Sequence, residues 1–202
     1  NTRLVAERGA RMTGLDIAPR FIEIARATEA ADPRGIAYHC ASAVELPFDD
    51  DAFDFAVAFM SLMDVPEFDR ALAEAHRVIR PGGFLQFSIT HPCCDVPLRR
   101  KIRDEDGTPI AFTLGGYFAG STFQVNEWLF GAAPAEVKEH YPKFRQAFLH
   151  HTLSEWLNAL IRLRFTLEEV VEPAIAPALL DRYPDEIDSW VWPYFMIFRC
   201  RK

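Results

Sequence analysis

Two nearly continuous apolar runs bracket one amphipathic pattern, and this arrangement limits the possible folds more than any other feature of the chain. The runs are Phe53 to Met60 and Phe84 to Thr90. Each predicts a strand buried on both faces. Between them Phe68, Ala71, Leu72, Ala75 and Ile79 are spaced as one helix face, which "RPGG" ends before turning into the next strand. Two buried strands joined through a helix are parallel neighbours in a sheet.

The alternation extends upstream. Leu4, Val5 and Ala6, followed by Gly9, read as the last turns of a helix. Arg11 to Asp16 predicts a short strand. Pro19 suits the first turn of a helix along which Phe21, Ile24, Ala25 and Thr28 recur. Pro33 and Gly35 break it, and Ile36 to Cys40 predicts another strand. The order is that of an open α/β sheet with mostly parallel strands.

From His91 to about His150 there is no clear period. That is too long for a simple connection, so residues 91–150 are expected to form an inserted lid or cap with short elements of its own. Thr152 and Glu155 then make a capping box, and Leu153, Trp156, Leu157, Leu160 and Ile161 form one helical stripe. Phe165 to Glu172 and Trp190 to Cys200 predict the last strands.

The bulk numbers narrow the function. The 202 residues fit one domain. Seventeen Phe suggest a large core or an apolar pocket, and a net charge of -7 argues against a nucleic-acid partner. No apolar run approaches the roughly 18 residues of a membrane span. Cys40, Cys93, Cys94 and Cys200 contain no C-x-x-C pair, and the adjacent two are badly placed for joint ligation, so free thiols in a reducing cytoplasm are expected. The run Asp49 to Asp51 reads as a solvated turn rather than a metal site, because successive acids do not converge and no His neighbours them.

Asp16 ends its strand on a carboxylate. In doubly wound sheets, ligands sit at the carboxyl ends of the strands, where an acid can accept two hydrogen bonds from a ribose diol. The same acid could instead cap the following helix. On Asp16 alone the two readings are balanced.

"TGLDIAPRFIEIARA", "ASAVELPFDDDAFDFAVAF" and "HRVIRPGGFLQFSIT" occur in order and at suitable separations. Together they resemble the class I S-adenosylmethionine-dependent methyltransferases, in the branch of the ubiquinone and menaquinone C-methyltransferases. The resemblance covers residues 1 to 90 well and the final strands loosely. "SITHPCC" and "HHTLSEWLNAL" look like a bacterial subgroup of these enzymes. The resemblance implies a Rossmann-like doubly wound sheet with an antiparallel strand near the C-terminus. It implies S-adenosylmethionine as cofactor and a small-molecule acceptor, and it leaves the oligomeric state open.

Roles follow for the matched positions. Asp16 would hold the ribose hydroxyls and Ile17 would lie against the adenine. Ser42 and Ala43 would border the adenine edge, with the Ala43 N–H as a donor. Many relatives carry an acid where this chain has Ser42, which accepts more weakly. Phe59 would border the methyl donor, and Met60 the acceptor. Methyl transfer needs aligned reactants and excluded water, and it needs a base only if the acceptor must lose a proton. His91, after the run ending at Thr90, is the candidate for orienting the acceptor or taking that proton. Tyr117, Trp128 and His151 are candidate acceptor contacts, and Glu127, Tyr141 and His150 sit in or near the same region; each alone reads more readily as surface or packing.

The family's G-x-G-x-G turn, which approaches the donor's amino acid end, has no match. The domain is therefore expected to lack its first strand within residues 1–202, and an upstream strand, a glycine-rich turn and the start of the first helix are expected before Asn1. Three functions are weighed: a small-molecule methyltransferase, a non-catalytic relative acting as a binding or partner protein, and a nicotinamide-dependent oxidoreductase. "LPFDDDAFD" with "RPGG" argues against the third.

Overall fold

The computed structural model describes residues 1–120, 124–128, 134–140 and 142–202. A short helix α1 (Thr2–Ala6) leads through Gly9, whose φ of 93° suits the residue after a helix end, into β1 (Thr13–Asp16). Helix α2 (Pro19–Ala31) has its proline in the first turn and returns to β2 (Ala37–Cys40), which pairs with β1 in parallel.

β3 (Phe53–Phe59), α3 (Phe68–Val78) and β4 (Ile79–Thr90) make the expected crossover, with β3 and β4 parallel. One boundary moves. Ile79 was expected in the helix but begins β4, and the "RPGG" segment lies inside that strand. Gly83 explains part of this: a Cβ there would meet the Asp54 carbonyl oxygen at 2.5 Å. Only glycine lets the two strands approach so closely.

Residues 91–150 hold the hairpin β5 (Leu98–Arg103) and β6 (Pro109–Gly115), then β7 (Gln124–Trp128), α4 (Ala135–His140) and β8 (Phe144–Phe148), with β7 and β8 antiparallel. Helix α5 (Leu153–Arg162) follows. Its capping box is formed, the Thr152 side chain accepting from Glu155 N–H and the Glu155 carboxylate from Thr152 N–H. β9 (Thr166–Val171) and β10 (Phe195–Arg201) complete the larger sheet. The last strand begins five residues later than the sequence suggests, because residues 184–190 form a 3-10 turn.

The larger sheet has the order β3-β4-β10-β9, and β10 runs antiparallel to both neighbours. The result is a Rossmann-like α/β sheet with one antiparallel strand near its C-terminal end. Its core lies on one face. Leu85, Phe87 and Ile89 of β4 and Met196, Phe198 and Cys200 of β10 pack with Phe68, Ala71 and Leu72 of α3 and Trp156, Ala159 and Leu160 of α5. Apolar burial of this kind, about 25 cal/mol per Å2, is the main source of the domain's stability.

The opposite face carries Phe55 stacked on Phe84, with the Arg199 guanidinium 3.9 Å from the Phe84 ring centre. β3 is consequently not buried on both faces as its apolar run suggests; every residue in it is partly or fully exposed. It also has no neighbour on its outer edge among the described residues, and β1 likewise pairs only with β2. The apolar stripe of α2 departs from expectation too. Ile22 is the buried residue, and Phe21 and Ile24 face outward. No described helix is long and apolar enough to cross a membrane.

Candidate functional site

The carboxyl end of β1 is built around Asp16. Its Oδ1 accepts the Ala18 N–H at 2.8 Å, and its carbonyl accepts from Ala41 N–H at 3.1 Å. This is a local turn rather than a cap, since the residue flanking α2 is Ala18. Oδ2 has no partner among the described residues, which leaves half of the carboxylate available. Ile17 beside it is 71% exposed, an unusual setting for such a side chain. Asp16 lies opposite Cys40 in the register, so Ser42 and Ala43 emerge at the same end of the sheet. The Ser42 hydroxyl accepts from Val44 N–H at 3.3 Å, and the Ala43 N–H makes no hydrogen bond among the described residues.

Phe59 and Met60 end β3. Phe59 is 38% exposed. Met60 has a φ of 49°, in the left-handed region that costs a side-chain-bearing residue energy. Ser88 on β4 holds it there: the Met60 N–H reaches the Ser88 carbonyl at 3.0 Å and its hydroxyl at 3.1 Å.

His91 follows β4 and is 4% exposed. Its Nδ1 accepts the Cys93 N–H at 3.2 Å, and its Nε2 lies 2.7 Å from Glu172 Oε1. A ring that accepts at Nδ1 carries its proton on Nε2 and donates it to the carboxylate. Held in this way, His91 offers no lone pair for an acceptor's proton, and of its two expected roles the geometry suits orientation. Glu172, more than half exposed, was missed in the sequence. The signal was there: it follows a strand directly, as Asp16 does.

A small cavity of about 10 Å3, room for roughly one water, lies at the ends of β3 and β4. Met63, Pro92, Leu149 and Trp156 are its apolar walls, and Thr90, Asp95, His150 and His151 bring polar groups. The Thr90 hydroxyl donates to Asp95 at 2.7 Å, and Asp95 also pairs with Arg99. The buried His150 ring spans the carbonyls of Asp95, 2.9 Å from Nδ1, and Tyr117, 2.8 Å from Nε2. His151 packs on Phe68 and Trp156.

Tyr117 is tied into this wall, its hydroxyl accepting the Leu153 N–H at 2.9 Å, and burial pushes its phenol up from the ordinary value. Trp128 lies on β7 with its side chain outside the described residues, and Tyr141 lies outside them altogether. The sequence also hid the fastening of the β5–β6 hairpin. Buried Asp188 accepts from Lys101 at 2.6 Å and from Arg103 at 2.8 and 2.9 Å, with the Tyr194 hydroxyl at 3.1 Å. The acid run at Asp49 to Asp51 is the exposed turn expected, with Asp50 paired to Arg77 and Asp51 to Lys202 at the surface. No group of three potential metal ligands converges among the described residues.

Residues 1–87 match the family described as "Methyltransferase domain". The chain is 33% identical over 117 residues to the human mitochondrial 2-methoxy-6-polyprenyl-1,4-benzoquinol methylase, and 36% identical over 108 residues to the ubiquinone/menaquinone biosynthesis C-methyltransferase of Brucella canis. These alignments take in 55% and 50% of the chain but 35% and 38% of the relatives, so the chain spans little more than a third of their length. Among solved structures, an S-adenosylmethionine-dependent methyltransferase from Mesorhizobium loti superimposes with a TM-score of 0.75 at 26% identity, over 99% of this chain and 84% of that one. One from Listeria monocytogenes shares the fold at a TM-score of 0.71 and 20% identity, over 95% of this chain and 79% of that one.

An adenosine group fits the residues present: Asp16 has an unused oxygen, Ala43 an unused N–H, and exposed Ile17 lies beside them. The human relative places the likeness outside bacteria as well as within them. Residues 1–87 are thus similar to a methyltransferase domain and to the quinol-methylating relatives, and the fold of the whole chain is the one shared by the solved S-adenosylmethionine-dependent methyltransferases.

Proposed function

We propose that this chain transfers a methyl group from S-adenosylmethionine to a small, partly apolar acceptor. The observation that carries the reading is the carboxyl end of β1, where the Asp16 Oδ2 oxygen is unused beside Ile17, Ser42 and Ala43. S-adenosylmethionine, when bound, supplies an electrophilic methyl group. The chain's own residues hold and align. Asp16 accepts from the ribose diol, Ala43 N–H and the Ser42 hydroxyl meet the adenine edge, and Ile17 covers its face. Phe59 and Met60 border the region where the methyl group is presented. Buried His91, fixed by Glu172, orients the acceptor side, and Tyr117 and His151 belong to the wall that excludes water.

Two further features support a small acceptor. The net charge of -7 does not attract a nucleic acid, and the quinol-directed names of the relatives point to ring-bearing small molecules. Residues 91–150 serve in this reading as a lid, anchored at Tyr117, His150 and Asp188. The outer edges of β1 and β3, unpaired among the described residues, support a second element of the proposal: they belong to one sheet, joined by a central strand from outside residues 1–202.

Calorimetry with S-adenosylhomocysteine tests the reading. Micromolar binding by the natural protein is expected. Absence of binding would favour a methyltransferase-like protein without catalysis.

A further inference from the structure

His150 meets two partners of the same kind. Its ring is 3% exposed, and the nitrogens lie 2.9 Å from the main-chain carbonyl of Asp95 and 2.8 Å from that of Tyr117. A carbonyl oxygen only accepts. A neutral imidazole has one N–H and one lone pair, so it satisfies one carbonyl and turns its lone pair on the other. The imidazolium has a donor at each nitrogen and satisfies both. The two carbonyls are also the two feet of one element. Asp95 stands just before β5 and Tyr117 just after β6, so the ring bridges the base of the hairpin. Asp95 and His150 line the small cavity at the carboxyl ends of β3 and β4, which makes the hairpin's base a wall of the candidate site.

A buried charge needs company. The Asp95 carboxylate, paired with Arg99, stands at one foot. At the other, the Tyr117 ring meets His150 edge-on with centroids 5.6 Å apart, and Cys93 lies beside its phenol, which burial keeps protonated. Glu155 faces the ring from α5. Burial disfavours ionising it, yet the Thr152 N–H and hydroxyl, His151 and His150 hold it below the usual carboxylate range, so it brings a negative charge. The neighbouring His151 does not compete for the proton. Burial lowers its imidazole and His150 adds to that shift, against Glu155 and Asp69 of α3.

We propose that His150 is a proton-operated clasp: as the imidazolium it holds both feet of the β5–β6 hairpin against the candidate site, and loss of one ring proton releases one foot. That this wall serves methyl transfer rests on the reading above; the clasp stands on its own geometry. In the step, one N–H bond breaks, its electron pair stays on the ring nitrogen, and the proton goes to water. The new lone pair then faces a carbonyl oxygen and is repelled by it. The closed hairpin is therefore favoured at low pH, where the ring is charged, and loses that support as the pH rises and the proton leaves.

Two measurements on the natural protein, taken from about pH 5 to about pH 8, test the clasp. Long-range proton–nitrogen NMR of the His150 ring should show a proton on both nitrogens at the acid end and a lone pair on one at the other. Hydrogen exchange of the β5 and β6 amides, corrected for intrinsic rates, should lose protection at least about tenfold over the same step. In His150→Gln, whose amide donates at every pH in this range, that loss should vanish. A lone pair on the ring at about pH 5, protection that does not follow the ring's proton, or the same loss in His150→Gln overturns the proposal. S-adenosylhomocysteine is titrated into the same samples. If it binds at neither pH while ring and hairpin respond together, the methyltransferase reading fails and the clasp stands. If it binds and the ring is neutral throughout, the clasp alone fails.

Discussion

In the proposed reading, Asp16 serves structure and function with different atoms. Oδ1 shapes the turn into α2, and Oδ2 remains for a ligand. The two roles separate by mutation. Asp16→Asn keeps an oxygen for the Ala18 N–H but loses the charge. Charge-assisted bonds contribute about 1.5–3 kcal/mol each, so affinity for S-adenosylhomocysteine should fall at least about tenfold in calorimetry while the melting temperature holds. Asp16→Ala should lose the same affinity and about 1 kcal/mol of stability as well. Unchanged affinity in both variants would leave only the turn. His91 invites the contrasting experiment. Because its ring nitrogens are occupied by Cys93 and Glu172, Glu172→Gln, which can still accept from Nε2, should leave stability within about 1 kcal/mol, whereas His91→Phe strands the Cys93 N–H and should cost about 1–3 kcal/mol in urea unfolding. Asp16 and His91 were visible in the sequence because each closes a recognisable strand. Their hydrogen bonds were not, because partners 2 and 81 residues away look the same in a string of letters.

At the scale of elements, periodicity located α3 and α5 and the strands beside them, since one buried face forces a repeat that can be read directly. It failed where a face has no cover. β3 is only half-buried and Phe21 and Ile24 of α2 are exposed, and hydrophobicity alone does not say which neighbour is present. The hairpin β5–β6 was illegible for another reason: it is held by ion pairs to Asp188 across 85 and 87 residues and by Phe112 stacked on Trp192, not by a periodic apolar stripe. Burial disfavours ionising Asp188, but Lys101, Tyr194 and Arg103 outweigh it and hold the carboxyl below the usual carboxylate range. A carboxyl lowered on folding stabilises above its unfolded value, near 3.9, and that contribution is lost as pH falls through the lower folded value. The urea midpoint of the wild type should therefore exceed that of Asp188→Asn at pH 7, and the gap should narrow towards pH 3. A constant gap would mean that packing, not charge, fastens the hairpin. Gly83 gives an element-scale test of the β3–β4 contact. Gly83→Ala drives a methyl group into the Asp54 carbonyl and should destabilise by about 1–3 kcal/mol, read as a lower denaturant midpoint.

For the whole molecule, the β1–β2 pair and the four-stranded sheet set the terms. β1 and β3 each keep an open edge among the described residues, and several unpaired backbone groups, at about 1–3 kcal/mol each when buried, would consume the roughly 5–15 kcal/mol that keeps a domain folded. If one strand from outside residues 1–202 fills both edges, these residues expressed alone should melt without a cooperative transition in calorimetry. A sharp two-state transition for the 202-residue piece would refute the shared strand. The alternation of helices and strands foretold an α/β sheet, and the missing G-x-G-x-G turn, rather than any residue within β1 or β3, is what led to the expectation of an absent strand between them. The pairing of β4 with β10 carries a consequence of another kind. Arg199 reaches Gln86 across 113 residues, and the hairpins and α5 lie between them. A sheet closed over such a span folds slowly, because the entropy of closing the loop is lost before any contact repays it. The wait leaves β4, the most buried strand, without its β10 partner while the intervening chain searches, and an unpaired apolar strand is where misassociation begins. The nascent protein should depend on chaperones in proportion to that delay, and shortening the 91–150 segment should speed refolding more than it raises stability.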